Sequence, residues 1–159
     1  MYNSIVENII REKEGIFMSD VLFTATVSAV GGREGKVVST DGVLEHDVAM
    51  PGTPRAKKLE KATNPEQLFA AGYSACFDSA LQMVARQERI RFESEVTAHV
   101  SLVKDSSDGG FKLGVQLEVK GTGIEQSALE ELVHKAHGVC PYSKATQGNI
   151  EVELVAVAQ

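Results

Sequence analysis

Two cysteines are the candidates for nucleophilic or redox chemistry in this chain. Cys76 lies inside the apolar segment FAAGYSACFDSA, and Cys140 lies in the segment HGVCPYSKA. A cysteine reacts through its thiolate, so the surroundings of each sulfur decide whether it is a nucleophile. Three interpretations are open: two unconnected buried residues, two ligands of a metal site, or a dithiol in which one thiolate attacks a peroxide and the other resolves the sulfenic acid.

The sequence around Cys76 does not by itself activate that sulfur. Asn64 and Pro65 predict the start of a helix, which places Cys76 about three turns inside it, beyond the reach of the helix dipole. Burial among apolar neighbours would raise the pKa of the thiol. Cys76 is therefore expected to react only if another segment brings a positive charge to it, and arginine suits that role because it stays charged when buried.

Cys140 has local surroundings that favour a thiolate more. Pro141 restricts Cys140 to an extended conformation, and the segment PYSKA predicts a helical turn with Cys140 near its cap. Backbone N–H groups at such a cap stabilise negative charge. Local physics thus favours Cys140 as the sulfur whose thiolate the backbone stabilises.

A metal site is a second interpretation of the cysteines. His134, His137 and Cys140 follow one another at steps of three residues, and Cys76 could supply a fourth ligand. The steps place the two histidines on neighbouring helix faces, and the chain has no compact Cys-x-x-Cys pair. A zinc-stabilised binding module that uses these four residues stays open as an alternative to an enzyme.

The helix that carries Cys76 is the longest predicted element. Asn64 is a suitable cap, Pro65 fits the first helical position, and Glu66 suits the positive end of the dipole. Apolar residues occupy most of the helix circumference. That distribution is typical of a buried helix, and it is compatible with burial in part by another subunit.

Alternating segments on both sides of this helix predict strands. The N-terminal third contains a strand over residues 22–30 and a hairpin at Asp41-Gly42, which indicates a small antiparallel meander. The segments SEVTAHVSLVKD and FKLGVQLEVKG form a strand–turn–strand unit. A second helix is predicted over residues 124–137 with Gly138 at its end, followed by a closing strand. This order of elements indicates an α+β fold.

Composition and charge narrow the class of protein. The chain has 159 residues, which fits one domain, and its net charge of −6 argues against a nucleic-acid-binding surface. The basic segment over residues 54–61 contains Glu60 and is predicted to be a solvated loop. No run of about 18 apolar residues and no signal peptide is found, so no membrane partner and a cytoplasmic location are expected. Paired cysteines there are more often catalytic or metal-binding than structural.

The first residues of the chain have two interpretations. Met18 directly precedes the first strand-like segment, and the codons of residues 13–15 could form a purine-rich ribosome-binding sequence. Translation is therefore hypothesised to begin at Met18, with residues 1–17 as an untranslated leader. The alternative is an amphipathic N-terminal helix, because isoleucines recur at helical spacing. A single domain over residues 18–159 is expected in both cases, and the intact mass of the natively expressed protein distinguishes them.

Two long segments resemble the cysteine motifs of one known family. TNPEQLFAAGYSACFDSAL and AHGVCPYSKATQGN are similar to the motifs of the organic hydroperoxide resistance (Ohr) proteins, a branch of the OsmC superfamily, and GGREG, DGVLEHDVAMPG and SLVKDSSDGGFKLGV support the likeness. The resemblance extends from Leu22 to the C-terminus. It implies an OsmC-like α+β fold with antiparallel sheets, a long buried central helix and a second helix. It also implies an intertwined homodimer with two active sites at the subunit interface.

The resemblance further implies an activity and the residues that carry it. A thiol-dependent peroxidase would reduce organic and fatty-acid hydroperoxides to alcohols, with Cys76 as the nucleophile and Cys140 as the resolving cysteine. Arg33, in GGREG, would hold the Cys76 thiolate and polarise the peroxide, and Glu66 would fix that arginine through a salt bridge. No bound cofactor or metal is implied, because an external dithiol, a lipoyl group carried on a protein, would reduce the disulfide. A peroxidase of the OsmC branch proper, with a different substrate preference, is the alternative.

Two further expectations concern the surroundings of the cysteines. Gln147 stands where the family usually has arginine, which leaves open how the loop around Cys140 is anchored. An apolar pocket mouth that includes Met50, Pro51 and Phe77 would select bulky hydroperoxides over hydrogen peroxide.

The positions of the charged residues raise a geometric difficulty. Glu66 and Cys76 are ten residues apart on one predicted helix, or about 15 Å along its axis. A single arginine would span only part of that distance unless the helix bends near Gly72. His137 and Tyr142 also match the family motif and are interpreted as structural.

Overall fold

The computed structural model describes residues 21–159. The predicted start at Met18 and the helix considered for residues 1–17 lie outside the described residues. Within residues 21–159, no helix is both long enough and apolar enough to cross a membrane.

The predicted antiparallel meander is confirmed as a three-stranded sheet. Strand β1 (Val27–Val30) pairs with β2 (Lys36–Ser39), which pairs with β3 (Glu45–Asp47), in the order β1-β2-β3. The first strand is shorter than predicted, since residues 22–26 are not part of it. All residues of β1 and β3 are exposed, so this sheet has little core of its own.

Two helices follow the meander. Helix α1 (Pro54–Lys58) occupies part of the segment predicted to be a solvated loop. Helix α2 (Pro65–Gln87) begins as predicted, because the Asn64 side chain accepts a hydrogen bond from the Gln67 backbone N–H at 2.8 Å and Pro65 occupies the first turn.

The second sheet contains the two long predicted strands and the closing strand. Strands β4 (Glu93–Lys104) and β5 (Phe111–Thr122) are antiparallel, whereas β6 (Val152–Ala158) runs parallel to β5. The parallel pairing was not predicted from the sequence. It follows from the two helices between β5 and β6, which return the chain to the end of the sheet where β5 began.

Helices α3 (Gln126–Val139) and α4 (Pro141–Thr146) form this connection. The prediction that Gly138 ends the first of them is wrong, because the helix continues through Gly138 to Val139. Cys140 then adopts an extended conformation with φ −62° and ψ 126°. Pro141 imposes this break, since the residue before a proline is disfavoured in helical geometry.

The core lies between the helices and the inner face of the second sheet. Helix α2 packs against β4 and α3, and α3 packs against β6. The buried residues that meet there come from α2, β5 and α3: Tyr73, Phe77, Ala80, Leu81, Val84, Ala85, Val115, Leu117, Val119, Leu129, Leu132, Val133 and Ala136. This arrangement is the predicted α+β fold, with α2 as the long central helix.

Candidate active site

The structure brings the two cysteine sulfurs together. Cys76 Sγ and Cys140 Sγ are 3.6 Å apart, and both residues are free thiols. Cys76 lies about three turns into α2 and is partly exposed, whereas Cys140 lies at the junction of α3 and α4 and is fully buried. A small molecule can therefore reach Cys76, and Cys140 stands directly behind it.

A buried hydroxyl network fixes α4 against α2. The Tyr73 hydroxyl lies 3.0 Å from Ser143 Oγ and 3.3 Å from Thr146 Oγ1. All three side chains are buried, and the Thr146 hydroxyl also donates to the Ser143 backbone carbonyl at 3.0 Å. Because buried hydroxyl groups are costly without partners, these contacts specify where α4, and hence Cys140, sits on α2.

Three aromatic rings pack together where α4 meets α2. The Tyr142 ring centroid is 5.9 Å from that of Phe69 and 5.6 Å from that of Tyr73. The Tyr142 ring rests on Gly72, where an added Cβ would lie 2.6 Å from the Tyr142 hydroxyl oxygen. Gly72 precedes Cys76 by four residues on the same helix face, so its lack of a side chain lets α4 approach α2 beside the thiol.

Burial raises the pKa of the Cys76 thiol more than the backbone of α4 lowers it. Burial raises the pKa of the Cys76 thiol, a hydrogen bond from the Tyr142 backbone N–H lowers it, and the Cys140 thiol raises it, with burial the largest effect. The sequence favoured Cys140 as the sulfur that the backbone of this turn would stabilise. In the structure the helix turn faces the neighbouring Cys76, an arrangement that only the packing of α4 on α2 creates. The net pKa of Cys76 within one chain still lies above its ordinary value.

Arg33 and Glu66 form a bidentate salt bridge. Arg33 Nη1 donates to Glu66 Oε2 at 2.8 Å, and Arg33 Nη2 donates to Glu66 Oε1 at 2.6 Å. This hydrogen-bonded contact raises the pKa of Arg33 and lowers that of Glu66. The Arg33 side chain is 40% exposed and that of Glu66 is 14% exposed. Arg33 lies in a single 3₁₀ turn, Gly32–Glu34, between β1 and β2.

Within one chain this ion pair lies away from the sulfurs. Glu66 is in the first turn of α2, and α2 is a continuous helix from there to Cys76, so about 15 Å of helix axis separates the two residues. The helix runs without interruption through Gly72, so no irregular start at that residue shortens the distance. An arginine bound to this glutamate therefore does not reach the thiol of its own chain.

The expected pocket mouth is only partly correct. Met50 is 43% exposed and Pro51 is also exposed, but Phe77 is fully buried in the core and does not line an opening. An aromatic residue at the surface near Cys76 is Tyr142, which is 38% exposed and was predicted to be structural. Gln147 lies exposed at the end of α4, with its backbone N–H bonded to the Ser143 carbonyl at 3.0 Å.

The donor set proposed for zinc does not converge. Across residues 21–159, no three side chains among histidine, cysteine, aspartate and glutamate are placed to hold a metal ion. His134 is exposed, whereas His137 is half-buried with its ring 6.5 Å from that of Phe77. Burial, and to a smaller degree His134, lowers the pKa of His137. The geometry gives the zinc alternative no support.

Known proteins resemble this chain in sequence and in fold. A family profile described as OsmC-like protein matches residues 55–155. The organic hydroperoxide resistance protein OhrA of Bacillus subtilis (strain 168) is 77% identical over 137 residues, which cover 86% of this chain and 97% of that protein. OhrB of the same strain is 53% identical over 133 residues, covering 84% and 96%. The crystal structure of B. subtilis OhrB matches with a TM-score of 0.81 at 52% identity, covering 86% of this chain and 99% of that one.

Proposed function

Because this chain belongs to the organic hydroperoxide resistance branch of the OsmC-like family, we propose that it reduces organic hydroperoxides to alcohols through its two cysteines. The observation that carries the proposal is the 3.6 Å contact between the sulfur of a partly exposed cysteine and that of a fully buried one. We assign the encounter with peroxide to the partly exposed cysteine, and the reaction with the product of that encounter to the buried one. Cys76 is thus the peroxidatic residue and Cys140 the resolving residue.

The reaction has two chemical steps on the protein. The Cys76 thiolate attacks the distal oxygen of ROOH, the O–O bond breaks, and RO⁻ takes up a proton and leaves as ROH. The Cys140 sulfur then attacks the sulfenic acid on Cys76, hydroxide leaves and is protonated to water, and a disulfide forms. The sulfurs need to approach by about 1.6 Å for this bond, a movement that requires no unfolding of α4.

An external dithiol completes the cycle. It supplies two electrons and two protons, returns Cys76 and Cys140 to thiols, and becomes a disulfide itself. Since Cys140 is fully buried, the reductant has to attack at the Cys76 side of the disulfide. A slender group such as a protein-borne lipoyl arm suits this approach better than a second globular surface does.

A homodimer supplies the positive charge that Cys76 lacks in its own chain. The Arg33–Glu66 pair of one chain lies too far along α2 to reach the Cys76 of that chain, so we assign it to the Cys76 of a second copy. The guanidinium would stabilise the thiolate and polarise the peroxide, while Glu66 keeps it oriented.

The exposed apolar residues of the N-terminal region support such a dimer. Leu22 is 95% exposed, Phe23 83%, Val30 77% and Val43 86%. We assign these side chains to one interaction surface, because large apolar side chains this exposed favour contact with a partner when they lie together. Two surface cavities formed by residues 21–159, of about 640 and 540 Å³, include neither cysteine in their linings, and we assign the completion of a pocket over Cys76 to the second chain.

The test is the reduction of cumene hydroperoxide with dihydrolipoamide as the electron donor. We expect Cys76→Ser to lose reduction by at least about 10³-fold, because the nucleophile is gone. Cys140→Ser should complete one reduction per site and then stop. Retention of the single turnover by Cys76→Ser, together with its loss in Cys140→Ser, would reverse the two roles.

A further inference from the structure

Arg55 is the one residue of the basic segment 54–61 that binds the loop carrying Arg33. Its Nε donates to the Val48 carbonyl at 3.2 Å, and its Nη2 donates to the Gly35 carbonyl at 3.1 Å. The same Nη2 lies 3.6 Å from Asp47 Oδ1. The prediction that this segment is a solvated loop therefore fails at Arg55, because α1 directs the guanidinium towards the backbone of the meander.

The Gly35 carbonyl is the point where the Arg33 turn joins β2. The turn over Gly32–Glu34 is closed by a hydrogen bond from the Glu34 backbone N–H to the Gly31 carbonyl at 3.1 Å. The Gly35 carbonyl accepts two hydrogen bonds, from the Val48 backbone N–H at 2.8 Å and from Arg55. Both lone pairs of that oxygen are thus used, and the peptide group is held from two sides.

The backbone at position 35 requires glycine. Its φ of −128° and ψ of −129° lie outside the ordinary strand and helix regions, and an added Cβ would lie 1.7 Å from the Val30 carbonyl oxygen. Only Glu34 separates this peptide from Arg33, so a rotation at Gly35 re-aims the Arg33 side chain directly.

We propose that Arg55 is a positioning residue: by holding the Gly35 and Val48 carbonyls together, it fixes the turn that delivers the Arg33 guanidinium to Cys76. The inference rests on the role of Arg33 in the proposed function. A planar guanidinium can bind both carbonyls at once with a defined angle, whereas an ammonium group acts as a single point of charge. Arg55 itself touches neither the sulfurs nor the peroxide.

An electrostatic effect of Arg55 is the competing explanation, and the same helix offers a control for it. Lys57 carries the same charge two residues further on and is exposed. Lys57→Gln removes a positive charge without altering the contact with Gly35. Arg55→Lys keeps the charge but removes the planar guanidinium that binds two carbonyls. If Arg55 positions the turn, Arg55→Lys should reduce the rate of peroxide reduction. If Arg55 acts only through its charge, Lys57→Gln should reduce that rate.

The experiment measures the second-order rate constant for cumene hydroperoxide in Arg55→Gln, Arg55→Lys and Lys57→Gln, each with and without Arg33→Gln. We expect a loss of roughly 10- to 100-fold for both Arg55 variants and a change of less than about twofold for Lys57→Gln. In the Arg33→Gln background, Arg55→Gln should cause no further loss, because it acts through Arg33. Thermal unfolding of each variant at one protein concentration shows whether the fold is intact.

A second measurement follows the Cys76 thiolate itself. In a Cys140→Ser background, the pH midpoint of thiolate absorbance should rise in Arg55→Lys and Arg55→Gln towards the midpoint of Arg33→Gln. A normal rate and midpoint in Arg55→Lys, or an equal loss from Arg55→Gln with and without Arg33, would overturn the inference. Those results leave the proposed function standing if Cys76→Ser is inactive, whereas peroxide reduction by Cys76→Ser removes both.

Discussion

The two halves of the candidate site are held in place in opposite ways. The sulfurs of Cys76 and Cys140 lie 3.6 Å apart because α2 and α4 of one chain pack through the buried Tyr73 hydroxyl network. The Arg33–Glu66 pair is held by two hydrogen bonds at a position where the arginine is 40% exposed, next to a strand that is exposed along its whole length.

The two sulfurs of the proposed redox reaction therefore lie apart from the arginine that is proposed to activate Cys76. One folded chain contains both sulfurs, at a distance suited to a disulfide, but the thiol that must ionise has a pKa above its ordinary value. The cation that could lower that pKa is bound elsewhere in the same chain. Disulfide formation should therefore be robust to changes in the N-terminal region, whereas the rate of peroxide attack should depend on them.

The largest effect is expected from Arg33→Gln. Peroxide attack should slow by about 10²–10³-fold, the size typical for loss of one preorganised electrostatic contact. The fate of the oxidised sulfur should not change, so mass spectrometry of fully oxidised protein should still find the Cys76–Cys140 disulfide. Sulfinic acid on Cys76 in place of the disulfide would show that the two halves are not independent.

Tyr73→Phe tests the other half. The substitution leaves the buried Ser143 hydroxyl without its partner, so the free energy of unfolding of the reduced protein should fall by about 1–3 kcal/mol. Urea unfolding at one fixed protein concentration measures this. Tyr142→Phe is the matched control, because Tyr142 is 38% exposed, and its change should stay below about 0.5 kcal/mol. Equal losses of unfolding free energy in both variants would show that the buried hydroxyl network does not hold α4 in place.

A smaller effect is expected from Gly72→Ala. The new methyl group overlaps the outer end of the Tyr142 ring, so the ring has to move from its position against α2. Overpacking of this kind costs about 1–3 kcal/mol, so condensation of the Cys76 sulfenic acid with Cys140 should slow by roughly tenfold. Rapid-quench thiol counting measures the rate. A second substitution, Tyr142→Leu, makes room for the methyl group and should restore part of the lost rate. An unchanged rate in Gly72→Ala would contradict a role for the contact between Tyr142 and Gly72.

The smallest effect concerns pH and the stability of the ion pair. Arg33 lowers the pKa of Glu66, so the unfolded chain binds a proton at this carboxylate more readily than the folded chain. The contribution is present above the ordinary glutamate pKa and is lost as the pH falls through the folded value. Because the side chains of the pair are partly exposed, Glu66→Gln should cost less than about 1 kcal/mol near pH 7, and this cost should shrink as the pH falls below the ordinary glutamate pKa. A cost that grows on acidification would have the wrong sign.

Local sequence signals predicted most of the elements. Asn64 and Pro65 mark the start of α2 because capping depends on adjacent residues, and period-two alternation marked β4 and β5. The parallel direction of β6 was not predicted, since strand direction depends on how the intervening helices pack. The end of α3 was misplaced by two residues because Pro141 outweighs Gly138 as a breaker.

The sequence predicted which residues form the candidate site but not how they are arranged. Motif resemblance named Cys76, Cys140, Arg33 and Glu66, but not their distances. The hydrogen bond from the Tyr142 backbone to Cys76 joins residues far apart in the chain, and no local pattern announces it. Arg55 was hidden for the same reason, because its partners are backbone carbonyls in another segment.

The most direct test of the central claim is a mixed dimer that carries Cys76→Ser in one chain and Arg33→Gln in the other. Each variant alone should be nearly inactive with cumene hydroperoxide and dihydrolipoamide. If Arg33 serves the Cys76 of the other chain, the mixed dimer contains one intact site, so it should recover about half of the wild-type activity per dimer. If Arg33 serves its own chain, neither site is intact. A mixed dimer as inactive as its parents would therefore contradict the account.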